Sequence, residues 1–188
     1  MIIITGFGPY GKFSTNLSSE IIKKISLETE KFSLVKKIIP VSWKECIFSY
    51  RKLLSESAFK PELVILLGIH SSKYLHLERF GWNFKIGSDI ENKFKFGPIK
   101  IFSPPLIKTT LNLNNIYHAI NEKKNVSISS FGGLYLCNYL YYWALFLSNK
   151  EYPVIFIHVP NRGIILEHIK KVNRILKAII KIHFKEEL

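Results

Sequence analysis

The sequence predicts an α/β protein, a layered sheet with helices on both faces. Three observations predict it. Apolar runs bounded by Gly or Pro alternate along the chain with segments of helical periodicity. One of those runs, "LVILL" bounded by Pro61 and Gly68, is continuously apolar, as strands buried on both sides must be. The chain has 188 residues, 47% of them hydrophobic, enough for one domain with a full core, and the expectation is a single domain over 1–188.

Taken in order, "MIIIT" is a buried strand that enters the glycine-rich loop "GFGPYG". "NLSSEIIKKISLE" carries apolar residues at helical spacing, with Asn16 or Ser18 as the cap. "FSLVKKIIPV" is a strand that Pro40 helps to end. "SWKECIFSYRKLLSE" is a helix with Trp43, Ile47, Tyr50 and Leu54 on one face. "ELVILLG" is a central strand and "YLHLERFGWN" another. Residues 84–105 mix polarity with Gly and Pro and predict a long irregular excursion. "NLNNIYHAINEKK" is a helix, "NVSISSF" a short strand with a turn, and Leu134–Ser148 a helix. "YPVIFIHVP" is a central strand, and "RGIILEHIKKVNRILKAIIKIHF" a long amphipathic final helix. Parallel strands bring their following loops to one sheet edge. The Gly6–Phe13 loop, the Gly68–Lys73 loop, Cys137 and His158 are expected to gather there.

Composition limits the function classes. No apolar run reaches membrane-span length, and "MIIIT" is too short for a signal peptide, so no membrane association is expected. Two cysteines make no disulfide framework, which predicts a cytoplasmic protein with reduced thiols. The formal net charge of +13 suits either a polyanion-binding surface or dispersed lysine on solvated faces. The second reading is favoured, because the basic residues come in pairs and never in a block of five, and aromatics are not interleaved with them. Nucleic acid is therefore not an expected partner, although a basic nucleic-acid-binding α/β module remains the alternative from another class.

Few side chains carry reactive chemistry. Cys46 falls mid-helix on a packed stripe and reads as core. Cys137 follows Gly133 near the start of its helix, where partial positive charge favours a thiolate. Packing and catalysis both fit it on spacing alone. His158 ends a strand, where a histidine either faces a cleft or is a satisfied structural residue. His118, His168 and His183 lie in amphipathic helices and are expected to face solvent, while His70 and His76 flank a loop and a strand. No histidine pair has metal-ligand spacing with a carboxylate. Glu78 sits on a mostly apolar strand, where a carboxylate needs a partner: a basic residue or a histidine. Thiol, imidazole and carboxylate together make a nucleophile, base and orienter set. The glycine spacing of "GFGPYG" is neither the dinucleotide fingerprint nor the P-loop, and an apolar pocket of Phe7 and Tyr10 suits it better.

Four segments in order resemble the pyroglutamyl peptidase I family of cysteine peptidases, also called pyrrolidone-carboxylate peptidases. They are "ITGFGPYGKFSTNLSSEIIKKI", "LLGIHSSKYLHLERFGWN", "SSFGGLYLCNYLYYWAL" and "VIFIHVP", spanning residue 2 to about residue 160. Glu78-Arg79, Asn83, Tyr135 and Asn138 also stand in matching places. Gly8, Tyr10, Leu17 and Asn161-Arg162 depart from the family's usual residues. The resemblance implies a three-layer α/β/α sandwich with a mixed, mostly parallel central sheet. It implies hydrolysis of an N-terminal pyroglutamyl residue from peptides, with neither metal nor cofactor. The catalytic roles it carries over are nucleophile for Cys137, general base for His158 and orienting carboxylate for Glu78. Phe7 and Tyr10 would enclose the pyroglutamyl ring, and backbone near Gly68 and Phe131 would meet its lactam. A diverged member with altered N-terminal specificity or negligible activity is the alternative within the fold. Homo-oligomerisation is left open.

Overall fold

A computed structural model describes residues 1–11, 14–26, 31–57 and 60–185. Its elements run β1 (Ile2–Phe7), α1 (Leu17–Lys24), β2 (Leu34–Ile39), α2 (Trp43–Glu56), β3 (Leu63–His70), β4 (Leu75–Glu78), β5 (Phe80–Trp82), β6 (Lys85–Ser88), β7 (Phe94–Gly97), β8 (Leu106–Lys108), α3 (Leu113–Ala119), β9 (Val126–Ser129), α4 (Leu136–Ser148), β10 (Val154–Pro160) and α5 (Ile165–Phe184). Six strands form one sheet in the order β2-β1-β3-β10-β4-β9. The first four in that order run parallel, β4 runs antiparallel to β10, and β9 runs parallel to β4.

Strand alternation divides the core. Ile2, Ile4, Ile65, Leu67, Ile155 and Ile157 face α1, α3 and α5. Ile3, Val64, Leu66, Val154 and Phe156 face α2 and α4. Both sheet faces are therefore covered, which is why Ile2–Ile4 of β1, Leu63–Leu67 of β3 and Val154–Ile157 of β10 are apolar without a break. The result is the expected three-layer α/β/α arrangement with a mixed, mostly parallel sheet.

The helix starts follow local chemistry. Asn16 caps α1 by accepting from the Ser18 backbone N–H, and Ser42 caps α2 by accepting from that of Glu45. The buried stripe of α2 is Trp43, Cys46, Tyr50 and Leu53, with Ile47 and Leu54 at its margin. Of the expected first helix, Leu27 and Glu28 lie outside the described residues, as do Lys12 and Phe13 of the first loop.

Three expectations are corrected. Residues 84–105 are not wholly irregular: β6 and β7 pair in register as a hairpin. "YLHLERFGWN" is not one strand. It breaks after Glu78, and β5 leaves the main sheet to pair with β8. His168 does not face solvent: it is buried and its Nε2 lies 2.8 Å from the Arg162 carbonyl. It shares the inward stripe of α5 with Val172, Ile175 and Ile179. Among the described residues no helix is long and apolar enough to cross a membrane.

Candidate active site

Strand register gathers the polar groups on the α4 face of the sheet. His158 continues the inward row Val154, Phe156, and Gly68 of β3 is its parallel partner. On the other side, antiparallel β4 sets His76 opposite His158 and Glu78 opposite Phe156. Glu78 is thus diagonal to His158 on the same face, and its Oε1 lies 2.8 Å from His158 Nδ1. Both side chains are almost completely buried.

Cys137 reaches this row by a different route from the one expected. β9 runs opposite to β10, so it ends with Ser129 beside Glu78 and not at the carboxyl end of β10. The connection 130–135 carries the chain back, and Gly132 passes so close that a Cβ there would lie 2.9 Å from Glu78 Cδ and 3.1 Å from His158 Cε1. α4 then begins at Leu136, which makes Cys137 its second residue. The N-cap residue Tyr135 supplies no side-chain cap, so Tyr135 leaves the N–H groups of the first turn free for an anion. Asn138 anchors the turn: it accepts from the Trp82 N–H at 2.8 Å and donates to the carbonyls of Trp82 and Phe84. Tyr141 donates to the Glu78 carbonyl at 2.9 Å. Gly68 leaves room for the sulfur, since a Cβ there would lie 2.8 Å from Cys137 Sγ.

The electrostatics follow from this packing. Burial alone would lower the His158 imidazole. Hydrogen bonding to the Cys137 sulfur and the Glu78 carboxylate outweighs it and raises the group to about 9. Burial raises the Glu78 carboxyl, but the His158 contact prevails and holds it below its usual value. Cys46 is fully buried, and burial pushes its thiol well up, as a packing residue requires.

A cavity of about 430 Å³ opens beside Cys137. Phe7, Tyr10, Tyr135, Ile69 and His70 are among its walls. The Tyr10 and Tyr135 rings lie 5.7 Å apart, and the Tyr135 hydroxyl donates to the Ser88 carbonyl at 2.7 Å, tying the cavity rim to β6. Gly68 is buried behind Cys137 and is not part of this wall. Phe131 is not part of it either. Its ring packs on Trp82 at 5.9 Å, and its N–H already donates to Ser129 Oγ. His70 and Tyr135 were not singled out as wall residues from sequence. Their signal was position, one at a strand end and one at a helix cap. Among the described residues no group of three or more His, Cys, Asp or Glu is placed to hold a metal ion.

The chain is a hydrolase of α/β/α architecture. The family model described as pyroglutamyl peptidase matches residues 1–179, and the chain belongs to that family. It is 31% identical over 168 residues to a pyrrolidone-carboxylate peptidase of Clostridium botulinum, covering 85% of this chain and 78% of the relative. It is likewise 31% identical to one from Thermosipho africanus, covering 85% and 80%. Among solved structures, the fold matches a mutant pyrrolidone carboxyl peptidase from Pyrococcus furiosus with a TM-score of 0.87 at 24% identity, covering 96% of this chain and 98% of that one. The enzyme from Thermococcus litoralis matches with a TM-score of 0.85 at 24% identity, covering 99% and 96%.

Proposed function

We propose that the protein cleaves the amide bond after an N-terminal pyroglutamyl residue, with Cys137 as nucleophile, His158 as general base and acid, and Glu78 as the orienting carboxylate. The observation that carries this reading is the Glu78–His158 contact of 2.8 Å beside a thiol that opens on an aromatic-walled cavity. Sulfur attacks the carbonyl carbon and a C–S bond forms. The negative charge moves to oxygen, toward the free N–H groups of the α4 first turn. One such donor is commonly worth roughly 2.7–4 kcal/mol. The imidazolium gives its proton to the leaving nitrogen, the C–N bond breaks, and a thioester remains. His158 then takes a proton from water. The resulting hydroxyl adds to the thioester, the C–S bond breaks, and pyroglutamate leaves as the thiol is restored. Glu78 holds the Nδ1 proton throughout and stabilises the imidazolium.

The cavity's Phe7 and Tyr10 supply apolar walls for a five-membered ring that carries no charged amine. A reducing compartment such as the cytoplasm suits a site built on a free thiol. The test is fluorophore release from a pyroglutamyl amide, with prolyl and alanyl amides as controls. Strong preference for the pyroglutamyl amide is expected, because a prolyl ring brings a charged amine that must be desolvated and lacks the lactam carbonyl. Equal rates on pyroglutamyl and prolyl amides would refute the substrate assignment, and no turnover of any of the three would refute the activity.

A further inference from the structure

His70 ends β3 two residues beyond Gly68 and lines the cavity together with Cys137. Its Nε2 lies 2.8 Å from the Tyr74 carbonyl. A carbonyl only accepts, so the proton sits on Nε2 and Nδ1 keeps its lone pair. The hydrogen bond to Tyr74 is the ring's own, and no partner for Nδ1 occurs among the described residues. The ring centroid lies 5.2 Å from that of His158 and 4.5 Å from that of His76. Burial, with the neighbouring His158 charge, lowers the imidazole to about 4, so the lone pair persists at neutral pH. Two other polar wall residues are already engaged: Asn16 Oδ1 accepts from the Ser18 N–H and hydroxyl, and Glu20 pairs with Lys23.

The chemistry of the substrate supplies the complementary half. In a pyroglutamyl residue the lactam nitrogen is bonded to the same carbon as the scissile carbonyl. When Cys137 attacks that carbonyl, the lactam N–H must lie on the cavity wall close to the sulfur. A lactam nitrogen offers a donor and needs an acceptor. We propose that His70 Nδ1 accepts the lactam N–H, so that His70 selects a lactam over other five-membered rings. This assignment rests on the peptidase reading above.

The test follows alkylation of Cys137 by iodoacetamide, protected by 2-pyrrolidone or by cyclopentanone, which lacks the N–H. In the wild type 2-pyrrolidone should protect at a concentration about tenfold lower, the scale of one neutral hydrogen bond. His70→Phe keeps a ring and removes the acceptor, and should collapse that difference. His70→Asn restores an acceptor near the Nδ1 position and should keep most of it. Pyroglutamyl-amide kinetics should show the His70→Phe loss mainly as raised KM. An unchanged pyrrolidone–cyclopentanone difference in His70→Phe, or none in the wild type, would overturn the assignment. Because protection needs no turnover, the two readings fail separately. A wild type that is protected as described but cleaves nothing would sink the peptidase reading and leave the His70 contact standing.

Discussion

Replacing Gly68 by alanine puts a methyl group into space that the Cys137 sulfur occupies. The new Cβ would lie 2.8 Å from Sγ, 2.7 Å from Phe156 Cζ and 2.9 Å from Phe156 Cε1. Ordinary carbon contacts fall at about 3.5–4.0 Å, so the overlap is on the order of 1 Å. Gly68 does not have a positive φ, so the backbone accepts alanine and the effect is steric alone. Phe156 is fully buried between β3 and α4 and has little room to swing. The sulfur is the group that yields. A misplacement of about 1 Å at a reacting atom costs roughly 100-fold, and overpacking costs about 1–3 kcal/mol of stability. The expected outcome for Gly68→Ala is a folded protein with a somewhat lower Tm. Its kcat/KM on a pyroglutamyl amide should fall about 100-fold, with slower alkylation of Cys137. A folded Gly68→Ala with wild-type kcat/KM and wild-type alkylation would refute the packing argument.

The remaining predictions concern the reacting groups and the cavity wall. A thiol alkylator should label Cys137 before Cys46, because Cys46 is fully buried with its thiol pushed up; peptide mapping that finds Cys46 first would contradict this. Cys137→Ala should abolish turnover without unfolding the chain, which activity and Tm together check. His158 stays protonated up to about 9, so kcat/KM should hold through neutral pH and fall as pH rises through about 9. The raised value also means that the pair's contribution to stability is fully present below 6.5 and is lost as pH rises through about 9. Glu78→Gln removes one of the two partners that hold the charge. The basic limb should move to lower pH and the rate should drop on the order of 10²–10⁴-fold; an unmoved limb would remove Glu78 from the mechanism. If the Tyr10 ring encloses the substrate as proposed, Tyr10→Ala should lower kcat/KM by up to about tenfold while Tyr10→Phe stays near wild type; equal losses would assign the effect to the hydroxyl.

Burial determined what could be read from sequence. β1, β3 and β10 were legible because both faces of each are covered, and that demands unbroken apolar runs. Cys46 as core, and the Asn16 cap, followed from spacing and local hydrogen bonding. The β6–β7 hairpin was missed because its side chains are largely exposed: Phe94 and Phe96 face outward, so pairing and not burial makes the strands. The alternation in Phe84-Lys85-Ile86 and Phe94-Lys95-Phe96 was its only trace. The break after Glu78 was invisible because β4 and β5 continue one alternating pattern into different sheets. At the site, residue types were legible but not their mutual placement. Glu78 and His158 are 80 residues apart, and only the β4–β10 pairing makes them neighbours. His70 was read only as flanking a loop, because the sequence does not reveal which ring nitrogen is engaged.

The position of β10 in the sheet bears on how the chain is made. β10 is made after the other five strands of this sheet, yet it lies between β3 and β4 in the middle of it. Until it emerges, the trio β2-β1-β3 and the pair β4-β9 have no strand joining them. The apolar edge of β3 then stands open as a template for other chains. A nascent chain stalled before Val154 is therefore a candidate for chaperone capture. His158 arrives on that same strand, so the thiol meets its imidazole only as the sheet closes. On the mechanism proposed above, topology withholds nucleophilic power from the half-made chain, and onset of activity becomes a clock for completion of the fold.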